Sequence, residues 1–146
     1  VHLVTRRIEW DAMHRVPGHD GACRAFHGHR YAAEFEVGAP CLDQAGMVVD
    51  FGVVKKIIGS WIDANLDHTA ILWRMDPDPV AGAIAKANEA YGKPAYFMDH
   101  PPTAENIVLE LARISGNLLS DHPVTLSSIR LWETPNCSAF WCNPKR

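Results

Sequence analysis

The sequence predicts an α+β fold, with helices packed on one face of an antiparallel sheet. Three observations predict it. Two alternating runs open the chain, segments of helical periodicity fill its middle, and two β-rich runs close it. Segregated elements of this kind build an antiparallel sheet with helices gathered to one side, whereas strict strand–helix alternation builds a parallel one.

The first run spans roughly residues 3–14, with Arg6, Ile8, Trp10, Ala12 and His14 on one parity, so that their side chains share one face of a strand. A loop rich in Gly and Pro follows, RVPGHDGACRAF. In the second run His27, His29, Tyr31, Ala33, Phe35 and Val37 share a face, and Arg30, Glu34 and Glu36 lie on the other. This is the pattern of an antiparallel strand with one solvated side. GAPCLDQAG is turn-like. MVVDFG then leads into a helix carrying Val53, Ile57, Ile58, Trp61 and Ile62, with Asp50 as its N-cap.

LDHTAILW is a short apolar stretch. DPDPVAGAIAKANEAYG reads as a helix opened by prolines and stopped by Gly92. PAYFM has the composition of a short strand. PPTAEN opens a further helix, with Thr103 as N-cap and Ile107, Leu111, Ile114 and Leu118 as its buried stripe. VTLSSIRLWET and CSAFWC close the chain as a hairpin turning at Pro135-Asn136. The second sheet face needs cover in this arrangement, so self-association is expected.

The bulk numbers narrow the class. With 146 residues, the chain suits one domain with a single core, residues 1–146. It is 47% hydrophobic and 21% charged, with a net charge of −3 and no long basic run. Nucleic acid is thereby excluded as the main ligand, because phosphate-backbone binding requires a basic face. No stretch of about 18 apolar residues is present, so no membrane partner is expected. VHLVTRRIEW lacks the layout of a signal peptide, and a cytoplasmic location is expected. Cys23, Cys41, Cys137 and Cys142 form no CxxC pair and are too few for a disulfide scaffold; free thiols are expected.

The chemistry concentrates in His14, Cys23, His27 and His29. Residues two apart on a strand point the same way, so His27 and His29 present both imidazoles on one face. His14 ends the preceding strand on its apolar parity, and a hairpin brings the three rings together. Three neutral imidazoles suit Zn2+ and leave a fourth position open, the catalytic rather than the structural pattern. The competing reading is three unrelated histidines, two of them on a solvated strand. Cys23 reads as a base or nucleophile of lowered pKa, as a fourth zinc ligand, or as a small buried apolar side chain. Asp67-His68 reads as a carboxylate orienting an imidazole for proton relay, or as an exposed helix end. Glu105 lies in a first helical turn, where the dipole alone favours a carboxylate. Glu133 ends an apolar strand, where it can accept two N–H bonds from a guanine-like ring edge or simply belong to the turn.

Taken in order, His14, Cys23-x-x-x-His27-Gly-His29, MVVDFG, LDH, PTAEN and WETP resemble the 6-pyruvoyl-tetrahydropterin synthase family over nearly the whole chain. The three-residue gap between Cys23 and HGH most resembles its 6-carboxytetrahydropterin synthase branch, which works in queuosine and other deazaguanine synthesis. The resemblance implies a tunnelling fold: a four-stranded antiparallel sheet with helices on one face, assembled into an oligomeric barrel of two stacked trimers with sites at the interfaces. It implies 7,8-dihydroneopterin triphosphate as substrate, and 6-carboxytetrahydropterin, acetaldehyde and triphosphate as products. By the same resemblance His14, His27 and His29 are the zinc ligands, Cys23 is the general base, Asp67 and His68 are its relay, and Glu105 and Glu133 hold the pterin ring. Residues 74–99 make a longer connection than the family's short forms. Arg15, Arg24 and Lys55 are candidates for the triphosphate. The alternatives are a 6-pyruvoyl-tetrahydropterin synthase, which keeps the three-carbon side chain, and a non-catalytic metal- or pterin-binding module.

Overall fold

The structure, a computed structural model, describes residues 1–145. β1 (His2–His14) and β2 (His27–Ala39) form a long antiparallel hairpin in register from His2↔Ala39 to His14↔His27. β5 (Thr125–Thr134) pairs antiparallel with β2, and β6 (Cys137–Cys142) pairs antiparallel with β5. The alternating runs and the closing hairpin therefore form the strands expected of them.

The sheet is larger than the expected four strands, and it is not purely antiparallel. Among the described residues it has six strands, in the order β4-β3-β1-β2-β5-β6. β3 (Thr69–Trp73) runs parallel to β1, and β4 (Tyr96–Met98) runs parallel to β3. Burial explains why alternation does not reveal β3. Thr69, Ala70, Ile71 and Leu72 are each 4% exposed or less, and a strand covered on both faces reads as a continuous apolar run. Ile71 belongs to the main core, whereas Ala70 and Leu72 do not. Parallel neighbours need a crossover, and the long connection after β3 supplies it. It carries α3 (Pro79–Ala90), which packs on β3. Asp78 caps α3 by accepting from Val80 N–H, and the chain leaves the helix through Gly92 at φ +73°, a backbone region that costs glycine nothing.

The other helices cover the sheet face that carries the odd-even apolar parity. α1 (Phe51–Val54) begins where Asp50 accepts from Gly52 N–H, continues through a π-helical turn (Lys55–Gly59), and ends as α2 (Ser60–Asn65). Val54, Ile58 and Ile62 are its buried stripe, so Val54 takes the place expected for Val53, which is exposed. α4 (Ala104–Leu118) is capped by Thr103 and packs on β5 and β6. It buries Ile107, Val108, Leu111, Ala112 and Ser115, while Ile114 and Leu118 are half-buried at its margin. Trp10, Tyr31, Phe35, Ile58, Ile62 and Leu111 are among the largest fully buried side chains.

The opposite sheet face is polar rather than apolar. Arg7 pairs with Glu34 at 3.1 Å, Arg30 with Asp11 at 2.9 Å, and the Ser128 hydroxyl donates to Glu36. Arg130 lies over the Phe140 ring at 4.9 Å. Ion pairs and hydrogen bonds between strands thus satisfy part of this face within the chain. No helix among the described residues is long and apolar enough to cross a membrane.

Candidate active site

The site is built at the end of the β1–β2 hairpin. Pairing sets His14 opposite His27 and Ala12 opposite His29, and parity turns all three rings to the core side of the sheet. Their centroids lie 4.7 Å (His14–His27), 5.1 Å (His14–His29) and 4.8 Å (His27–His29) apart. One ring nitrogen from each falls within 4.8 Å of the others.

Hydrogen bonds select the free nitrogen. His14 Nδ1 lies 2.6 Å from the Pro102 carbonyl, and His27 Nδ1 lies 2.8 Å from the Ala25 carbonyl. A carbonyl only accepts, so each Nδ1 carries the proton and each neutral ring is left with its lone pair on Nε2. Among the described residues, the buried Nε2 atoms of His14 and His29 have no hydrogen-bond partner. Burial holds His14 below the ordinary histidine range, against the opposing influence of the Pro102 bond and Glu133. Burial lowers His29 in the same way, with Glu133 again opposing. Converging lone pairs on neutral imidazoles repel one another unless an electrophile sits between them. Such a donor set suits zinc, with three protein nitrogens leaving a position open.

Two further side chains close around this cluster. Tyr31 continues the His27–His29 parity, stacks on Trp10 at 5.5 Å and meets His29 edge-on at 5.5 Å. Burial pushes its phenol well above the usual range, and the charge of Glu133 adds to this. Glu133 shares the parity of Ile129 and Leu131, both fully buried. It falls where the β5–β6 register shifts, between Trp132 and Thr134. Its Oε1 reaches to 3.3 Å from His14 Nε2 and 3.8 Å from His29 Nε2. A cleft of about 460 Å3, lined by Gly28, His29, Arg30, Trp132, Glu133 and Thr134 among others, opens beside these groups. A larger hollow of about 680 Å3 lies at the other end of β1, between Leu3, Leu42, Met47 and Phe51, away from the histidines.

The remaining expected residues lie outside the histidine cluster. Cys23 is half-buried in a 3-10 turn (Ala22–Arg24), with its carbonyl accepting from Val16 N–H at 2.8 Å. It belongs to neither group of ligating atoms within 4.8 Å found among the described residues. The second such group is Asp11, Asp67 and His68. Asp67 Oδ2 is 2.9 Å from His68 Nδ1, and its other oxygen accepts from Asp11 N–H. Burial works to raise Asp67, but these hydrogen bonds hold it below the usual carboxylate range. His68 sits in the left-handed region at φ +59°, with its backbone N–H donating to the Asp11 carbonyl, and its side chain is 66% exposed. Glu105 stands exposed on the first turn of α4, three residues after the carbonyl that orients His14.

Of the triphosphate candidates, Arg24 and Lys55 are exposed. Arg15 is engaged inside the protein by Asp76 and by the Arg24 carbonyl. The Pro102 and Ala25 carbonyls, which orient two of the rings, act through the backbone and have no side-chain signature. Tyr31 did have one, since it stands next on the histidine face.

A family model described as 6-pyruvoyl tetrahydropterin synthase matches residues 3–143. The chain is 42% identical over 135 residues to a 6-carboxy-5,6,7,8-tetrahydropterin synthase of Rickettsia bellii, covering 91% of this chain and 94% of that one. Its fold is similar to that of an uncharacterised protein of Wolinella succinogenes, with a TM-score of 0.83 and 23% identity over 97% and 98% of the two chains. It is also similar to that of the 6-pyruvoyl tetrahydropterin synthase of Caenorhabditis elegans, with a TM-score of 0.67 and 20% identity over 97% and 95%. At such identities the structural likeness speaks for the fold, while the family match and the Rickettsia relative speak for descent. The chain belongs to the 6-pyruvoyl tetrahydropterin synthase family.

Proposed function

We propose that the chain is a zinc-dependent 6-carboxy-5,6,7,8-tetrahydropterin synthase, a lyase that converts 7,8-dihydroneopterin triphosphate to 6-carboxytetrahydropterin, acetaldehyde and triphosphate in 7-deazaguanine synthesis. The observation that carries this reading is the convergence of His14, His27 and His29, with two Nε2 lone pairs assigned by backbone carbonyls, in a chain closely similar to relatives of that name.

The three histidines hold the metal, and Glu133 and Glu105 grip the pterin ring. Bound there, zinc supplies Lewis acidity toward the hydroxyls of the substrate side chain. Cys23 removes a proton from that side chain. Asp67 accepts a hydrogen bond from His68 Nδ1–H, fixing the ring so that Nε2 can exchange a proton with the base or the substrate. A carboxylate beside the ring edge accepts its N–H donors and fixes the side chain near the base, which makes the proton steps close to unimolecular. Loss of triphosphate followed by hydrolytic carbon–carbon cleavage, in which one water supplies the second carboxyl oxygen and a proton to the departing two-carbon fragment, leaves the carboxyl on the pterin and the remaining two carbons as acetaldehyde.

Self-association into stacked trimers belongs to the same reading. The exposed His68 and the half-buried Asp67 form a ligating group separate from the histidine cluster, which supports a role toward a partner's Cys23 across an interface. Leu42, Met47, Phe51 and Val53 supply exposed apolar surface for such contacts. A cytoplasmic location is part of this reading.

Incubating the purified, zinc-loaded protein with 7,8-dihydroneopterin triphosphate tests it. Acetaldehyde is the expected product, and Cys23→Ala should abolish its release while keeping zinc. Accumulation of 6-pyruvoyltetrahydropterin would replace the reading with the other branch of the family. Zinc binding without turnover would replace it with a binding module.

A further inference from the structure

Arg15 ties together three segments of the chain. It follows His14 directly in the chain. Its Nε and Nη2 both donate to the Asp76 carboxylate at 2.7 Å, as a two-pronged fork. Its Nη1 donates to the Arg24 carbonyl at 2.8 Å, one residue after Cys23. Asp76 lies beyond β3, the strand that Asp67 and His68 precede, and also accepts from the Asp78 backbone N–H at 3.0 Å. The side chains are well covered, Arg15 11% exposed and Asp76 2%.

The Cys23 loop depends on such polar ties. None of residues 15–26 is fully buried, and the turn holding Cys23 contributes no side chain to the core. Apolar packing therefore does little to fix it. Besides the bonds within the turn itself, Val16 N–H donates to the Cys23 carbonyl, Arg15 to the Arg24 carbonyl, and the His27 ring to the Ala25 carbonyl. Of these, the Arg15 bond is the one that couples the loop to a distant segment, 61 residues along the chain. A planar guanidinium fastened by two parallel bonds presents its remaining donor in a fixed direction, which an ammonium cannot do.

We propose that Arg15 and Asp76 are positioning residues that clamp the Cys23 loop beside the three-histidine cluster. This rests on the proposed role of Cys23 as base. The clamp touches no reacting atom, so releasing it displaces the thiol without removing a ligand or a pterin contact. A displacement near 1 Å of a reacting group costs roughly a hundredfold in rate.

The test compares wild type, Asp76→Asn, Asp76→Glu and Cys23→Ala as zinc-loaded full chains. The readouts are kcat and KM for acetaldehyde release, bound zinc, and the iodoacetamide rate of Cys23 followed by peptide mass spectrometry, with Cys41 as internal reference. For Asp76→Asn the expectation is a kcat lower by about 10- to 100-fold, with KM and zinc near wild type and Cys23 alkylated severalfold faster relative to Cys41. Asp76→Glu keeps the charge and should recover part of kcat, and it serves as the milder variant if Asp76→Asn does not fold. Wild-type kcat and alkylation in both Asp76 variants would overturn the clamp, as would a kcat loss matched by a loss of zinc. If Cys23→Ala retains turnover, the base assignment fails instead, and the alkylation rates still decide whether Asp76 holds the loop.

Discussion

Replacing His14 and His27 separately by Ala should separate metal binding from fold stability, because the two rings differ in burial. His14 is 0% exposed, whereas His27 is only partly buried. Each is expected to donate one nitrogen to the metal. Structural zinc binds with about 10–16 kcal/mol over four ligands, so one ligand is worth roughly 3–4 kcal/mol, or about 100- to 1000-fold in affinity. Both variants should lose zinc affinity on that scale in a chelator competition. Their metal-free stabilities should diverge. His14→Ala leaves a cavity and strips the Pro102 carbonyl of its donor, at a cost of about 2–4 kcal/mol. His27→Ala loses one half-solvated hydrogen bond to Ala25, about 1 kcal/mol. Urea unfolding of the metal-free proteins measures the difference. If His27→Ala binds zinc within threefold of wild type, the converging lone pairs are not a metal site. Equal metal-free stabilities would show that the tautomer-fixing bond to Pro102 contributes nothing.

Glu133→Gln keeps the side chain's size and removes its charge. As a pterin grip, Glu133 should then cost about 10- to 100-fold in kcat/KM, the worth of a charge-assisted hydrogen bond, with zinc affinity little changed. A collapse of zinc affinity in a chelator competition would make Glu133 a ligand, and an unchanged kcat/KM would remove it from the site. The Arg15–Asp76 pair should also be visible in acid unfolding. Hydrogen bonds from Arg15 hold Asp76 below its ordinary value of 3.8. A carboxyl depressed on folding stabilises the fold above its unfolded pKa, and that stabilisation is lost as pH falls through the folded one. Asp76→Asn should therefore be less stable than wild type by about 2 kcal/mol at pH 7, with the gap closing toward pH 2. A gap of equal size at both ends in urea unfolding would mean that the charge on Asp76 does not matter.

What the sequence made legible follows from the range of each interaction. Alternation is local, so the facing of His27, His29 and Tyr31 on β2, and of His14 on β1, was readable from residues two apart. Capping is local too, and Asp50, Thr103 and Gly92 stand where their chemistry placed them. β3 was hidden because both its faces are covered, which erases the alternation that marks a half-solvated strand. Alternation places Arg30 and Glu34 on a solvated face, but their pairing with Asp11 and Arg7 depends on the β1–β2 register. Which nitrogen His14 and His27 leave free is not readable at all, since backbone carbonyls of Pro102 and Ala25 decide it and carbonyls leave no mark on composition.

The same logic of range separates the proposed metal ligands from the proposed base. The histidines come from two strands paired residue by residue, so their mutual geometry is as rigid as the sheet beneath them. Cys23 comes from a loop without a buried side chain, and in the proposed clamp its position is borrowed through Arg15 from Asp76, which lies on the connection that also makes β4 a parallel neighbour of β3. A change in that connection can therefore move the thiol without moving the three imidazoles. The length of residues 74–99 is thus not neutral decoration between two motifs. It supplies the crossover, the buried carboxylate and, through one guanidinium, the tether on the loop where the proposed proton abstraction begins.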